Sequence, residues 1–307
     1  MESNDVCPSP NAGVADWTGA LLLVLGYLRL PDLLAFQGVS RLFRDAVAGD
    51  GPLWRRVTVD RPLSGRLNVD ALLRITSRAD GKLESLVLLN CWKITDDGLT
   101  QVMDRNPGIT KLHVPGCRHI TADGIVRIVK RLYEHSGKLK SLHIHGISNI
   151  TKDHLDILKL FLFGNSVKQL TSPTHYSYRH FLTFNSHDER PIDVDICPKC
   201  NNVRVLFDCT RENCRSMKSQ WLECRGCSFC IARCEDCGGC LDFDEPGEET
   251  ACSHLLCIEC WLHLPKCNIC NRPYCKGHSN LLEGSSLGFV CMQCRDSAGS
   301  PYHSVCG

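Results

Sequence analysis

The chain has 307 residues, a formal net charge of +1 and 22 cysteines. A near-neutral charge offers no whole-chain field for nucleic acid or an anionic membrane, and no apolar run approaches the ~20 residues of a spanning helix. The opening "MESNDVCPSPNAG" lacks the basic-then-apolar pattern of a secretory signal, so an intracellular location, nucleus and/or cytoplasm, is expected, with thiols kept reduced.

Residues 1–14 are polar, carry Pro and Asn, and are expected to be disordered. Residues 15–60 form a short helical stretch. Leu21, Leu25 and Leu28 keep helical spacing, Pro31 suits the first turn of a second helix, and Ser40 is placed to cap a third. Gly51-Pro52 breaks the chain before Trp54. A unit of about 40 residues cannot bury all its leucines alone, and leftover apolar surface marks a partner site.

Residues 61–172 contain an internal repeat: "LESLVLLNCWKITDDGL", "ITKLHVPGCRHITADGI" and "LKSLHIHGISNITKDHL". Leu86 and Leu112 lie 26 residues apart, Leu112 and Leu142 30 apart, in or near the leucine-rich range. Each copy reads as a strand, a turn and a helix opened by Thr95, Thr121 or Thr151, with a weaker fourth copy at "VKQLTSP". Alternation points Leu86, Leu88, Leu112, Val114, Leu142 and Ile144 inward. The opposite face carries Ser85, Val87, Leu89, Lys111, His113, Pro115, Ser141, His143 and His145. Solenoids bind partners on that face, which makes Lys111, His113, His143 and His145 candidate substrate contacts. Cys91 and Cys117 occupy the position that Ile147 fills in the third copy. Isoleucine replaces a buried thiol but not a ligand, so both cysteines are read as core. Residues 173–195 lose the periodicity and read as a linker.

Within residues 16–57, "LLLVLGYLRLPDLLAFQGVSRLFRDAV" and the "LW" of Leu53-Trp54 resemble an F-box. Together with "NCWKITDDGL" and "GCRHITADGI", the stretch 16–172 is similar to plant F-box proteins of the Skp-interacting type. The resemblance implies the receptor subunit of a cullin-based ubiquitin ligase, docking a Skp-type adaptor through Leu21, Leu25, Leu28, Pro31, Leu33, Leu34, Val39 and Trp54, and binding a protein substrate. The Leu-Pro that usually opens the motif is replaced by Asp16-Trp17.

All but four of the 22 cysteines lie between Cys197 and Cys294, in a region taken as 196–296 with a tail at 297–307. In a reduced compartment such pairs read as metal sites. Cysteines two residues apart offer two sulfurs from one tight turn. The pairs and near-pairs are Cys197/Cys200, Cys209/Cys214, Cys224/Cys227, Cys230/Cys234, Cys237/Cys240, Cys252/His254, Cys257/Cys260, Cys267/Cys270, Cys275/His278 and Cys291/Cys294. They divide into about five tetrahedral zinc sites with nothing left over.

The stretch from Cys234 to Cys270 resembles a RING finger. The preferred parsing groups Cys237, Cys240, Cys257 and Cys260, then Cys252, His254, Cys267 and Cys270. The alternative starts at Cys234 and Cys237 and strands Cys230 and Cys240. Trp261 and Pro265 suit a conjugating-enzyme contact, but Gly238-Gly239 in the first pair, Asn268 and Asn271 do not, which favours a zinc scaffold over a ligase. Between Ile196 and Asp296 there are 11 Lys plus Arg against 13 Asp plus Glu, so the basic excess of a phosphate-binding surface is missing. No H-E-x-x-H motif marks a zinc hydrolase. The expected fold is α/β multidomain: a helical F-box, a short leucine-rich-repeat solenoid and a small zinc-stabilised cysteine-rich domain. The expected role is substrate recognition, with a RING-type ligase as the alternative.

Overall fold

The computed structural model describes residues 24–49, 51–164, 190–216, 224–241, 247–281 and 289–298. The chain divides into two compact units. One holds the described residues up to Gly164 together with Arg190–Val194, and the other begins at Asp195.

In the first unit, helix α1 (Leu30–Phe36) opens with Pro31 in its first turn and buries Leu30 and Leu33. Its proline lacks an N–H that would be unpaired there in any case. Helix α2 (Arg41–Gly49) is capped by Ser40, whose hydroxyl accepts from the Phe43 amide at 3.2 Å. Phe36 and Phe43 stack across the turn with centroids 4.3 Å apart. A 3-10 turn (Gly51–Trp54) then delivers strand β1 (Arg56–Val59).

Strand β1 is the first strand of a four-stranded parallel sheet, followed in order by β2 (Ser85–Leu88), β3 (Lys111–His113) and β4 (Ser141–His143). Val57 pairs with Leu86, Leu86 with Leu112, and Leu112 with Leu142. The repeated leucines therefore stack in one buried row. After each strand comes a helix: α3 (Val69–Ser77), α4 (Asp96–Arg105), α5 (Ala122–His135) and α6 (Lys152–Phe163). Asn68, Thr95, Thr121 and Thr151 cap them, each side-chain oxygen accepting the amide three residues on. Cys91, Cys117 and Ile147 are all buried at equivalent points of the stack.

Neighbouring helices approach closely at their N-termini, and the sequence allows it with Gly98 and Gly124. A Cβ on Gly98 would meet Val69, and one on Gly124 would run into the Asp96 carboxylate. That carboxylate instead accepts from the Thr121 amide at 2.8 Å and its hydroxyl at 2.6 Å. In the third copy His154 stands where the glycine would be. It completes a capping box with Thr151 and reaches Asp123 at 3.1 Å.

Two expectations change here. First, Leu25, Leu33 and Trp54 are buried, not free for an adaptor. Strand β1 extends the sheet, α1 packs on it, and Trp54 donates its indole N–H to Val47 O at 2.9 Å beneath the Arg78 guanidinium. These three side chains find cover in the fold itself. Leu21 lies outside the described residues, as does the weak fourth copy at 167–173.

Second, Arg190–Val194 is not linker. It lines the open edge of β4, where Leu142 and Ile192 form a parallel bridge and the Leu142 amide donates to Pro191 O at 2.7 Å. Asp193, fully buried, accepts from the Ile144 amide at 2.8 Å, the His145 amide at 3.1 Å and His145 Nδ1 at 2.5 Å. The carboxylate supplies the pairing that a further strand would give.

Among the described residues, the second unit has little regular structure. It contains two-residue ladders β5–β6 (Asp195–Ile196, Val203–Arg204) and β7–β8 (Glu248–Glu249, Leu255–Leu256). Helices α7 (Glu212–Ser216), α8 (Ile258–His263) and α9 (Met292–Ala298) are short. Its buried clusters are built largely of cysteine, joined by Leu206, Leu256, Tyr274 and Phe289.

Burial pushes the Asp193 carboxyl up, but the hydrogen bond and charge of His145, with the Ile144 amide, outweigh it and hold the pKa at about 2. A folded-state pKa below the unfolded value contributes stability above about pH 4 that is lost as pH falls towards 2, an effect of about 2 kcal/mol. Asp193→Asn should remove that acid dependence. It should also raise amide exchange at Ile144 and His145 selectively, read by hydrogen exchange on the full chain. Unchanged exchange at both amides would contradict the role given to Asp193.

Candidate metal centres

The twenty Cys and His residues singled out above fall into five groups of four, each group's ligand atoms lying within 4.8 Å of one another. The groups are Cys197, Cys200, Cys227 and Cys230; Cys209, Cys214, Cys224 and Cys240; Cys234, Cys237, Cys257 and Cys260; Cys252, His254, Cys275 and His278; and Cys267, Cys270, Cys291 and Cys294. A tetrahedron with metal–sulfur bonds of about 2.3 Å has sulfur–sulfur edges of about 3.8 Å. The observed edges are 3.8 Å for Cys214–Cys240, Cys237–Cys257 and Cys270–Cys291, 4.0 Å for Cys200–Cys227 and 3.5 Å for Cys252–Cys275. These groups could hold metal ions of that size.

Backbone geometry prepares the sulfurs as anions. Amides of Cys227, Cys240, Cys275 and Cys291 donate to Cys197, Cys209, Cys252 and Cys267 Sγ at 3.3–3.5 Å. The hydrogen bond from Cys237, opposed by burial and helped by backbone amides, holds Cys234 down to about 4. Within the same group, burial and then the charge of Cys234 push Cys260 up to about 12. Crowded thiols ionise one at a time unless a cation joins them, and a coordinating thiol is deprotonated outright.

The grouping corrects the preferred RING parsing. Cys240 belongs with Cys209, Cys214 and Cys224, and Cys230 with Cys197, Cys200 and Cys227, so the alternative first pair, Cys234/Cys237, strands nothing. The group of Cys252 and His254 closes on Cys275 and His278, not on Cys267 and Cys270, which face Cys291 and Cys294. A cross-brace does run through the region, because the Cys234 group and the Cys252 group interleave. Its last pair simply lies further along the chain than spacing suggested.

Several supporting residues carry no sequence signal. The Thr250 hydroxyl lies 3.0 Å from Cys252 Sγ. His254 turns Nδ1 towards Cys252 and Cys275, at 3.3 and 3.6 Å, and Nε2 towards the Glu235 carboxylate at 3.8 Å. A carboxylate behind a ligating imidazole fixes its tautomer and orientation. Asp236 accepts from the Lys276 amide at 2.9 Å, tying the turn at Cys234–Cys237 to the turn that follows Cys275.

The candidate substrate histidines are not an open surface. His113 and His143 are buried and stack with centroids 3.5 Å apart. His113 Nε2 meets Ser141 Oγ at 2.8 Å, His143 Nε2 meets Arg190 O at 3.1 Å, and His145 pairs with Asp193. The Arg190–Val194 segment lies against the His143 and His145 rings. Lys111 stays half-buried on β3. Of the candidate adaptor contacts, Leu28 and Val39 are exposed, while Pro31 and Leu34 are half-buried.

The grouping can be tested by counting metal. In the full chain, Cys209→Ser with Cys240→Ser should lose one ion, since both changes strike one site. Cys240→Ser with Cys257→Ser should lose two. The reverse pattern would restore the preferred sequence parsing.

A family model described as F-box-like matches residues 19–60, and one described as the At3g27290 F-box protein C-terminal domain matches residues 193–269. F-box protein SKIP28 of Arabidopsis thaliana is 39% identical over 294 residues, covering 92% of this chain and 91% of SKIP28. F-box protein SKIP14 of the same plant is 38% identical over 250 residues, or 80% of this chain and 55% of SKIP14. F-box protein At3g27290, also from Arabidopsis thaliana, is 35% identical over 249 residues, or 78% of this chain and 64% of the relative. The chain thus spans about half of SKIP14, under two thirds of At3g27290 and nearly all of SKIP28. An F-box-like segment, a matched cysteine-rich domain and near full-length similarity to SKIP28 place this chain in the F-box protein family.

Proposed function

We propose that the chain is the substrate-recognition subunit of an SCF-type cullin ubiquitin ligase, with no active site of its own. The observation that carries the reading is the F-box-like segment at 19–60 together with the apolar side chains it leaves in solvent. Val24 is 58% exposed, Tyr27 91%, Leu28 37% and Val39 67%. Apolar clusters of this kind suit docking into a partner's groove, and here the partner is a Skp-type adaptor. The strand–helix copies are read as leucine-rich repeats, and the repeats and/or the cysteine-rich domain take the protein substrate. The five tetrahedral groups are read as zinc sites: thiolate and imidazole ligands, tetrahedral edges and closed four-residue sets suit structural zinc. Such sites need reduced thiols, in keeping with a nuclear and/or cytoplasmic location.

The second reading, a RING-type ligase acting directly with a conjugating enzyme, draws on the interleaved order Cys234, Cys237, Cys252, His254, Cys257, Cys260, Cys275 and His278. Against it, the first turn now contains Glu235 and Asp236, acidic where an apolar contact is wanted. Pull-down with a Skp-type adaptor, set against autoubiquitination without one, separates the two readings.

Leu28→Asp with Val39→Asp should weaken adaptor binding by the full chain at least about tenfold, because charge would enter an apolar groove. The fold should survive, since both residues are exposed. Leu25→Asp should instead unfold the segment. Wild-type binding by the double variant would sink the docking assignment.

A further inference from the structure

Arg233 is a cation buried without an anion beside it in the usual form. It stands between Cys230 and Cys234, which belong to different ligand groups, and is only 6% exposed. Its guanidinium donates to Cys224 O at 2.6 Å, Phe207 O at 2.9 Å and, more weakly, Gly238 O at 3.4 Å. All three acceptors are neutral carbonyls. The ion pairs among the described residues of this unit are Arg225–Asp208, His254–Glu235 and Arg272–Glu249, and Arg233 is in none of them. A buried charge left uncompensated is strongly destabilising, so something else must balance it.

The backbone that Arg233 holds belongs in part to the cysteine groups. Cys224 is a member of one all-cysteine group, and Gly238 lies in the turn between Cys237, of the next group, and Cys240. Four thiolates around a divalent ion leave a formal charge of about −2. We infer that Arg233 is the shared counter-cation of these two metal centres and a positioning residue for both. The charge favours ionised sulfur, and the planar fork ties together backbone carrying Cys224 and Cys237. This rests on the zinc reading above. The mixed Cys–His group differs: two thiolates and two neutral imidazoles around a divalent ion sum to zero, so that centre calls for no counter-cation, and Glu235 faces the His254 ring there.

The test uses the full chain as purified with zinc. Release to a chelator is timed, and cadmium-113 NMR is recorded after metal exchange. Arg233→Gln removes the charge, and Arg233→Lys keeps it. Wild type should carry five ions. In R233Q, two of them should leave at least about tenfold faster, in the range for loss of an outer-shell partner. Two all-sulfur cadmium resonances should move while the mixed sulfur–nitrogen resonance stays. R233K should release within about threefold of wild type. Five ions and wild-type release in R233Q, or equal behaviour of R233Q and R233K, would overturn the counter-cation role while leaving the zinc reading intact. Two ions or fewer in wild type would overturn the zinc reading itself. Should R233Q fail to accumulate, R233K decides: five slowly released ions support the role, and loss of two or more refutes it.

Discussion

In three of the five groups a Cys-x2-Cys turn meets a second such turn far along the chain, and the C-terminal unit depends on where each turn finds its complement. In every one of the five groups the two parts are separated in sequence by ligands of a neighbouring group. Cys197/Cys200 meets Cys227/Cys230 across Cys209, Cys214 and Cys224, and the pattern continues to Cys291/Cys294. No group can close without ordering chain that carries part of a neighbouring one. The buried clusters of this unit mix cysteines with a few apolar side chains, a small core for which metal–ligand bonds, under the proposed zinc reading, would offset the cost of ordering the chain.

The N-terminal unit solves the same small-core problem by repetition. Each strand–helix copy stacks its leucines on those of its neighbours, so both ends of the row need a cover. At one end β1, which belongs to the F-box-like segment, pairs with β2. At the other, Arg190–Val194 caps β4 through Asp193. The F-box-like segment and the strand–helix copies therefore share one hydrogen-bonded sheet. That continuity fixes the F-box-like segment against the strand–helix copies through backbone hydrogen bonds.

What the sequence made legible follows from how local each signal is. The repeat spacing, the threonine caps and the inward leucines were readable because strand and helix periods are set by residues close in the chain. The metal-site candidates were readable from residue type, but pair spacing misled at Cys224/Cys227, Cys230/Cys234 and Cys237/Cys240, each divided between two groups. Their grouping was not readable, because Cys240 meets Cys209, 31 residues away, and no rule of local spacing reaches that far. Leu25, Leu33 and Trp54 looked like partner contacts because an amphipathic face does not say which neighbour covers it. The sheet contributed by β1 does so here. Asp193 and Arg233 were silent for the same reason. Their roles exist only once distant backbone amides and carbonyls have been brought to them.

The central claim is that one chain both docks an adaptor and carries a metal-built domain with no ligase chemistry of its own. Native mass spectrometry of the full chain co-expressed with a Skp-type adaptor tests it most directly, because one spectrum reports both partner and metal content. The account predicts a one-to-one complex whose excess mass equals five zinc ions. A chain that stays free of the adaptor, or a complex carrying two ions or fewer, would contradict it.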